Sequence, residues 1–243
     1  MILYPVVILA GGIATRLRPI TEKIPKSLIE VGGRPFIDHQ LNLLKSHGVH
    51  SVIISAWYKG EMIRDHVGDG SGFGMDVQFI FDGESPLGTG GAVRQALSLL
   101  NGPFFVLYGD SYLPCNYADI QAFYDRQAQP GLMTVYRNQG KWDTSNVEMV
   151  DERILCYDKK KRNPRMEFID YGLGLFRPEI FASLSEGQPA DLAEIYQKLV
   201  ADHSLLAYEV KQRFYEIGSF EGLHELDRLL ANDSDQFLRK GKP

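Results

Sequence analysis

Residues Pro5 to Ala10 form an unbroken apolar run, Val-Val-Ile-Leu at its centre, that passes without a spacer into Gly11-Gly12. A strand apolar on both faces must be covered on both faces. This excludes a sheet with one wet side and predicts helices above and below. The rest of the first 110 residues fits that demand. Phe36 to His47 carries Phe36, Ile37, Leu41 and Leu44 at helical spacing and stops at Gly48. Ser51 to Ala56 reads as the next strand, Gly60 to Val67 as a short helix, and Asp69 to Gly74 as a glycine-rich turn. Met75 to Phe81 follows as a strand, Thr89 to Leu100 as a helix, and Phe104 to Tyr108 as another buried strand. The alternation predicts an α/β fold: a Rossmann-like mixed, mainly parallel sheet with helices on both faces.

After Asp110 the pattern changes. A helix is expected over Asn116 to Gln127. Strands then come with fewer helices between them: Leu132 to Arg137, Asn146 to Val150, Ile154 to Tyr157 and Phe168 to Phe176. Helices return at Asp191 to Asp202 and Glu221 to Asn232. There is no Pro- or Ser-rich linker and no internal repeat. A chain of 243 residues suffices for one large core and is short for two. The expectation is one domain over residues 1–243, with lobes 1–110 and 111–232 and a polar, frayed tail from 233 to 243.

Charge and composition narrow the function. The net charge is −5, and Lys159 to Arg162 is the one basic block, which argues against a nucleic-acid partner. The two cysteines, Cys115 and Cys156, have no cysteine or histidine at metal-ligand spacing, so zinc is not expected. No apolar run approaches the roughly 20 residues that span a bilayer. The apolar opening lacks a basic flank and is broken by Pro5, so a cytoplasmic protein is expected. Self-association is left open.

Four segments can carry chemistry. The first is Leu9-Ala10-Gly11-Gly12-Ile13-Ala14-Thr15-Arg16-Leu17-Arg18-Pro19, with Pro25-Lys26-Ser27-Leu28 after it. Open α/β sheets bind ligands at the carboxyl ends of strands. Gly11 and Gly12 let backbone amides approach a phosphate, and Arg16 and Lys26 add positive charge there. The spacing of a Walker A loop is absent. The second is Glu84-Ser85-Pro86-Leu87-Gly88-Thr89-Gly90-Gly91-Ala92, a glycine-rich helix entry where a flat base can lie on backbone and Thr89 anchors the helix. The third is Gly109-Asp110, a carboxylate at the end of a buried strand, suited to a hard cation. The fourth is Phe214-Tyr215-Glu216-Ile217-Gly218-Ser219. No serine or cysteine nucleophile with a matching histidine is apparent.

Together these segments resemble the nucleotide-sugar pyrophosphorylases, the sugar-1-phosphate nucleotidyltransferases. That family opens with Gly-Gly-x-Gly-Thr-Arg-Leu-x-Pro and a following Pro-Lys, and continues with Pro-Leu-Gly-Thr-Gly/Ala-Gly-Ala. The resemblance covers about residues 3 to 232, and the look is closest to heptose- and mannose-1-phosphate guanylyltransferases. Ala14 stands where the family has its third glycine, at a cost of roughly 1 kcal/mol if φ is positive. The resemblance implies transfer of a nucleotidyl group from a nucleoside triphosphate to a sugar 1-phosphate, with pyrophosphate released. By it, Leu9, Gly11, Gly12, Ala14, Thr15, Pro86, Gly88 and Thr89 bind the nucleotide. Arg16 holds the β- and γ-phosphates, and Lys26 sits between the α-phosphate and the sugar phosphate. Asp110 and Glu216 hold Mg²⁺, Glu216 replacing the family's aspartate. Tyr108, Asn146, Asp158, Lys159, Tyr171 and Gly172 fall on the sugar-phosphate side, with Asp158 accepting hydroxyls and Lys159 holding the phosphate.

The base is read from residues around Gly83. Uridylyl- and thymidylyl-transferring relatives have a glutamine three residues before the proline of this loop. Here that position is Gly83, flanked by Asp82 and Glu84. A carboxylate only accepts, and guanine offers two adjacent donors, so GTP is the favoured donor; the alternative is that both acids face solvent and backbone atoms alone read the base. A phosphocholine cytidylyltransferase would not need the Pro-Leu-Gly-Thr-Gly-Gly segment. A non-catalytic relative is expected to lack Lys26 or Asp110, and a glycosyltransferase would want Asp-x-Asp where Asp110-Ser111-Tyr112 stands.

Overall fold

The structure is a computed structural model that describes residues 2–240, with side chains described through Ala231. Its centre is a single sheet built from β1 (Val6–Leu9), β2 (Ser51–Ala56), β3 (Asp76–Phe81), β4 (Phe104–Tyr108), β5 (Gly131–Arg137), β6 (Val147–Val150), β7 (Arg153–Tyr157), β8 (Phe168–Phe176) and β9 (Leu205–Val210). The strand order is β3-β2-β1-β4-β8-β5-β9-β7-β6. β1 to β4 are mutually parallel. β8 enters antiparallel between β4 and β5, β9 lies parallel beside β5, and β7 and β6 close the far edge antiparallel. The sheet is therefore parallel in its first half and mixed in its second, as the change of pattern after Asp110 predicts.

The apolar run of β1 does what its sequence requires. Val6 and Ile8 face one layer, and Val7 the other. Under Val6 and Ile8 lie Ile37, Leu41 and Leu44 of α1 (Phe36–Ser46), Ile63 of α2 (Gly60–Val67) and Tyr117 and Ile120 of α4 (Tyr117–Asp125). Over Val7 lie Val93 and Ala96 of α3 (Gly88–Ala96) and Leu192 and Ile195 of α5 (Leu192–Ala201). Each such Val, Leu or Ile side chain, fully buried, contributes about 1.5–3 kcal/mol.

A third, smaller cluster fixes the long loop after β1. Leu17, Ile29 and Val31 pack with Phe36, Ile217 and with Leu223 and Leu226 of α6 (Phe220–Lys240). Asp227 accepts the Gly32 amide at 2.7 Å on the same side. The chain's last helix is thus what clamps its first loop.

Two features go beyond the sequence expectation. β9 is absent from it, because Leu205 to Val210 follows α5 after a three-residue turn and mixes apolar with polar residues, so no clean period marks it. It nevertheless pairs with β5 along its whole length. α6 also continues eight residues past Asn232, into the segment expected to fray; residues 241–243 lie outside the described residues. Among the described residues no helix is long and apolar enough to cross a membrane.

Candidate active site

Register places the carboxyl ends of the parallel strands level. Leu9 pairs with Ser55 on one side and Tyr108 on the other, and Ala56 pairs with Phe81. The segments leaving those ends must then surround one space. They enclose a cavity of about 370 Å³ walled by Gly11, Gly12, Trp57, Asp82, Lys26 and Asp110. Leu9, Pro86, Gly88 and Thr89 also line it. Gly109 makes the arrangement feasible: a Cβ there would lie 2.5 Å from the Leu9 carbonyl oxygen. Only glycine lets β4 leave the sheet so close to β1.

A second cavity, about 460 Å³, opens on the far side of Tyr108 and Asp110, which line both. Asn146, Lys159, Tyr171, Gly172 and Glu216 line it, together with Asp170. Lys26 stands at the border, its Nζ 2.6 Å from Asp110 Oδ2. Glu216 reaches the same border through a short antiparallel ribbon, Glu216 opposite Ser111 and Tyr215 opposite Tyr112, with the Ile217 amide donating to the Asp110 carbonyl. Asp110 Oδ2, Glu216 Oε1 and an Arg16 guanidinium nitrogen each lie 3.8 Å from the same point beside Gly218. Burial, and then the charge of Asp110, push the Glu216 carboxyl above its ordinary range; Arg16 and Lys26 oppose that. Two carboxylates crowded at one border favour a shared cation. Among the described residues no group of three or more His, Cys, Asp or Glu is placed to hold a metal alone. That donor set fits Mg²⁺, which takes one or two carboxylates and completes its shell from phosphate and water.

Ala14 adopts φ 51°, ψ 55°, the left-handed conformation for which glycine is suited. Thr15 and Arg16 follow on the 3-10 turn Thr15–Leu17; both are exposed and neither lines a cavity. Thr89 does not cap its own helix: its hydroxyl donates to Asp191 Oδ1 at 3.1 Å and accepts from the Leu192 amide at 2.8 Å. It ties α3 to the start of α5 instead.

The carboxylates flanking Gly83 separate. Asp82 is on the cavity wall; its Oδ2 accepts the Leu87 amide at 2.8 Å, and its buried Oδ1 has no partner. Burial pushes this carboxyl up. Glu84 is exposed and off the wall.

On the acceptor side Asp158 does not meet its expected role. Its Oδ1 closes a turn by accepting the Lys160 and Lys161 amides at 2.7 and 2.8 Å, and it stands off the cavity wall. Asp170 takes the wall instead. Its side chain is 4% exposed, 4.0 Å from Lys159 Nζ, with the Gly172 amide donating to Oδ1 at 3.0 Å and the Tyr157 hydroxyl to Oδ2 at 3.3 Å. Gly172 at φ 97° turns the strand so that this ring of bonds closes. Asn146 is tied in by accepting the Asp170 amide at 3.0 Å. Sequence reasoning gives no site role to Trp57, Thr144, Arg162 and Phe214, which line the two cavities. The signal for Trp57 was its place one residue past the end of a strand.

A glycine loop leaves the end of the first strand, and a lysine and two carboxylates stand where two cavities meet. The profile of the nucleotidyl transferase family matches residues 5–233, and the chain belongs to that family. It is 28% identical over 205 residues to a mannose-1-phosphate guanylyltransferase of Mycobacterium tuberculosis, covering 83% of this chain and 57% of that protein. It is 28% identical over 228 residues to the N-acetylmuramate alpha-1-phosphate uridylyltransferase of Neisseria meningitidis serogroup B, covering 91% and 96%. The structure of HddC from Yersinia pseudotuberculosis complexed with GMP-PN superposes with a TM-score of 0.78 at 24% identity, over 94% of this chain and all of that one. The chain spans just over half the length of the mycobacterial relative and nearly all of the Neisseria one.

Proposed function

We propose that the chain transfers a nucleotidyl group from a nucleoside triphosphate to a sugar 1-phosphate, forming a nucleotide sugar and pyrophosphate in the cytoplasm. One observation carries this: Lys26 and Asp110 sit where the two cavities join, so anions bound in each would meet there. An oxygen of the sugar phosphate bonds to the α-phosphorus, and the bond to the β-phosphate oxygen breaks in line. The nucleophile is already ionised near pH 7, so no general base is needed. Lys26 offsets the repulsion between the two anions, and Arg16 is aimed at the same border from the loop side. Asp110 and Glu216 would hold Mg²⁺, which supplies neutralisation of phosphate charge when bound. Lys159 and Asp170 orient the sugar phosphate and a sugar hydroxyl.

GTP is the favoured donor. The support is the Asp82 carboxylate on the wall of the first cavity, an acceptor for the donors of guanine, together with the guanylyltransferases among the relatives. The uridylyltransferase relative makes UTP the competitor to measure. The test is pyrophosphate release over a grid of nucleoside triphosphates and sugar 1-phosphates, hexose and heptose. Release that needs both substrates and runs fastest with GTP is expected. A pyrimidine preference would overturn the guanine assignment alone, and release that ignores the sugar phosphate would overturn the transfer.

A further inference from the structure

A third cavity, about 540 Å³, opens beyond the second and shares Asp143, Thr144 and Arg162 with it. The transfer chemistry uses none of its outer wall. That wall is the segment from Gln139 to Ser145 facing Arg162 and Glu167. The segment is held in shape from behind. The buried Asn138 side chain donates to the Asp143 carbonyl at 2.5 Å and accepts the Trp142 amide at 3.2 Å. The Arg213 guanidinium lies 3.3 Å from the Trp142 ring centre and is ion-paired to Glu225 at 2.6 Å.

Two cations, Lys141 and Arg162, and two acids, Asp143 and Glu167, stand on its wall. Glu167 pairs with Arg137 at 2.9 Å, and Asp143, with no ion pair among the described residues, accepts the Thr144 amide at Oδ1 at 2.5 Å. Nearby Arg165 finds Glu148 at 2.9 Å. Arg162 donates to the neutral Thr144 hydroxyl, and among the described residues neither it nor Lys141 forms an ion pair. A guanidinium is a planar fork matched to carboxylate or phosphate. An anomeric phosphate must lie at the Lys26–Asp110 border, with Lys159 on its own cavity wall. Arg162, at the opening to the outer cavity, is left over.

We propose that the acceptor sugar carries a second anionic group, a carboxylate or a phosphate, which Arg162 and Lys141 bind in this outer cavity. The inference rests on the transfer reaction proposed above. The experiment compares kcat/KM within matched acceptor series: gluco-, manno- and galacto-configured hexose 1-phosphates, their 1-phosphorylated uronic acids and their 1,6-bisphosphates. N-acetylglucosamine 1-phosphate against N-acetylmuramic acid 1-phosphate adds a carboxylate at another position. In at least one series the anionic member should exceed the neutral one by about tenfold or more. Arg162→Gln should bring that ratio close to one, and Arg162→Lys should leave it between, keeping charge without the fork. The uronic acid and bisphosphate arms tell carboxylate from phosphate. Neutral acceptors equal to or better than anionic ones in every series would overturn the proposal. So would a ratio unchanged in Arg162→Gln. Turnover of no acceptor at all, with any nucleotide, would instead overturn the transfer reaction.

Discussion

The two cavities that meet at Asp110 are built differently. The donor cavity sits on parallel strands whose ends are level by register, and backbone supplies much of its wall: Gly11, Gly12, Gly88 and Gly109. The acceptor cavity sits where β8 runs antiparallel to its neighbours and bulges between Asp170 and Gly174, and side chains supply its polarity: Lys159, Asp170 and Asn146. In the proposed reaction, backbone would read what all nucleoside triphosphates share, and side chains what differs between sugars. The donor side is therefore expected to tolerate little change at its few charged groups, and the acceptor side to shift specificity when its side chains change.

The largest effect belongs to the border that serves both cavities. Lys26→Ala should lower kcat by about 10²-fold or more while the protein stays folded, since it removes one ion pair, to Asp110. Asp110→Asn should lose as much, and Glu216→Gln less than either; Glu216→Asp should retain substantial turnover. Steady-state kinetics with circular dichroism checks this, and near-normal kcat in a folded Lys26→Ala protein breaks the comparison at its hinge.

Next is the acceptor wall. Asp170→Asn and Lys159→Ala should each raise the acceptor KM by about tenfold and leave the nucleotide KM near wild type. Asp158→Asn should alter neither, because its carboxylate serves a turn. Equal loss on both substrates would mean that the two cavities are not separable.

A smaller effect concerns the base. Asp82→Asn should reduce the GTP-over-UTP ratio of kcat/KM by roughly five- to tenfold. Burial raises this carboxyl, with the Leu87 amide and Ser55 opposing, so its proton is taken up at higher pH than by a free aspartate. The ionised form is the acceptor. GTP preference should then be full above the raised pKa and decline as pH falls through it, and Asp82→Asn should flatten that profile.

The smallest effect is local. Ala14 holds φ 51°, so Ala14→Gly should remove strain of about 1 kcal/mol, offset in part by glycine's entropy. Thermal unfolding should move by a few degrees at most.

The same contrast governs how much was legible in sequence. The parallel half announces itself: β1 and β4 are unbroken apolar runs, β2 is apolar but for Ser51 and Ser55, and the residues just past their ends line the first cavity. The mixed half depends on contacts distant in the chain. β9 carries Leu205, Ala207 and Glu209 in a period too loose to stand out, and its place beside β5 is a tertiary fact. Asp158 and Asp170 look equally available as sequence. What separates them is a turn that consumes the first and a bulged strand that buries the second beside Lys159. Likewise Asp82 and Glu84 differ by two positions, and only the fold turns one of them into the cavity.

The most direct test follows phosphate oxygens. Sugar 1-phosphate labelled with ¹⁸O at all four phosphate oxygens, incubated with unlabelled GTP and Mg²⁺, should give a nucleotide sugar that keeps all four labels and pyrophosphate that carries none. Label in pyrophosphate, or nucleoside monophosphate formed while the labelled sugar phosphate is returned intact, would contradict attack by the sugar phosphate at the border between the two cavities.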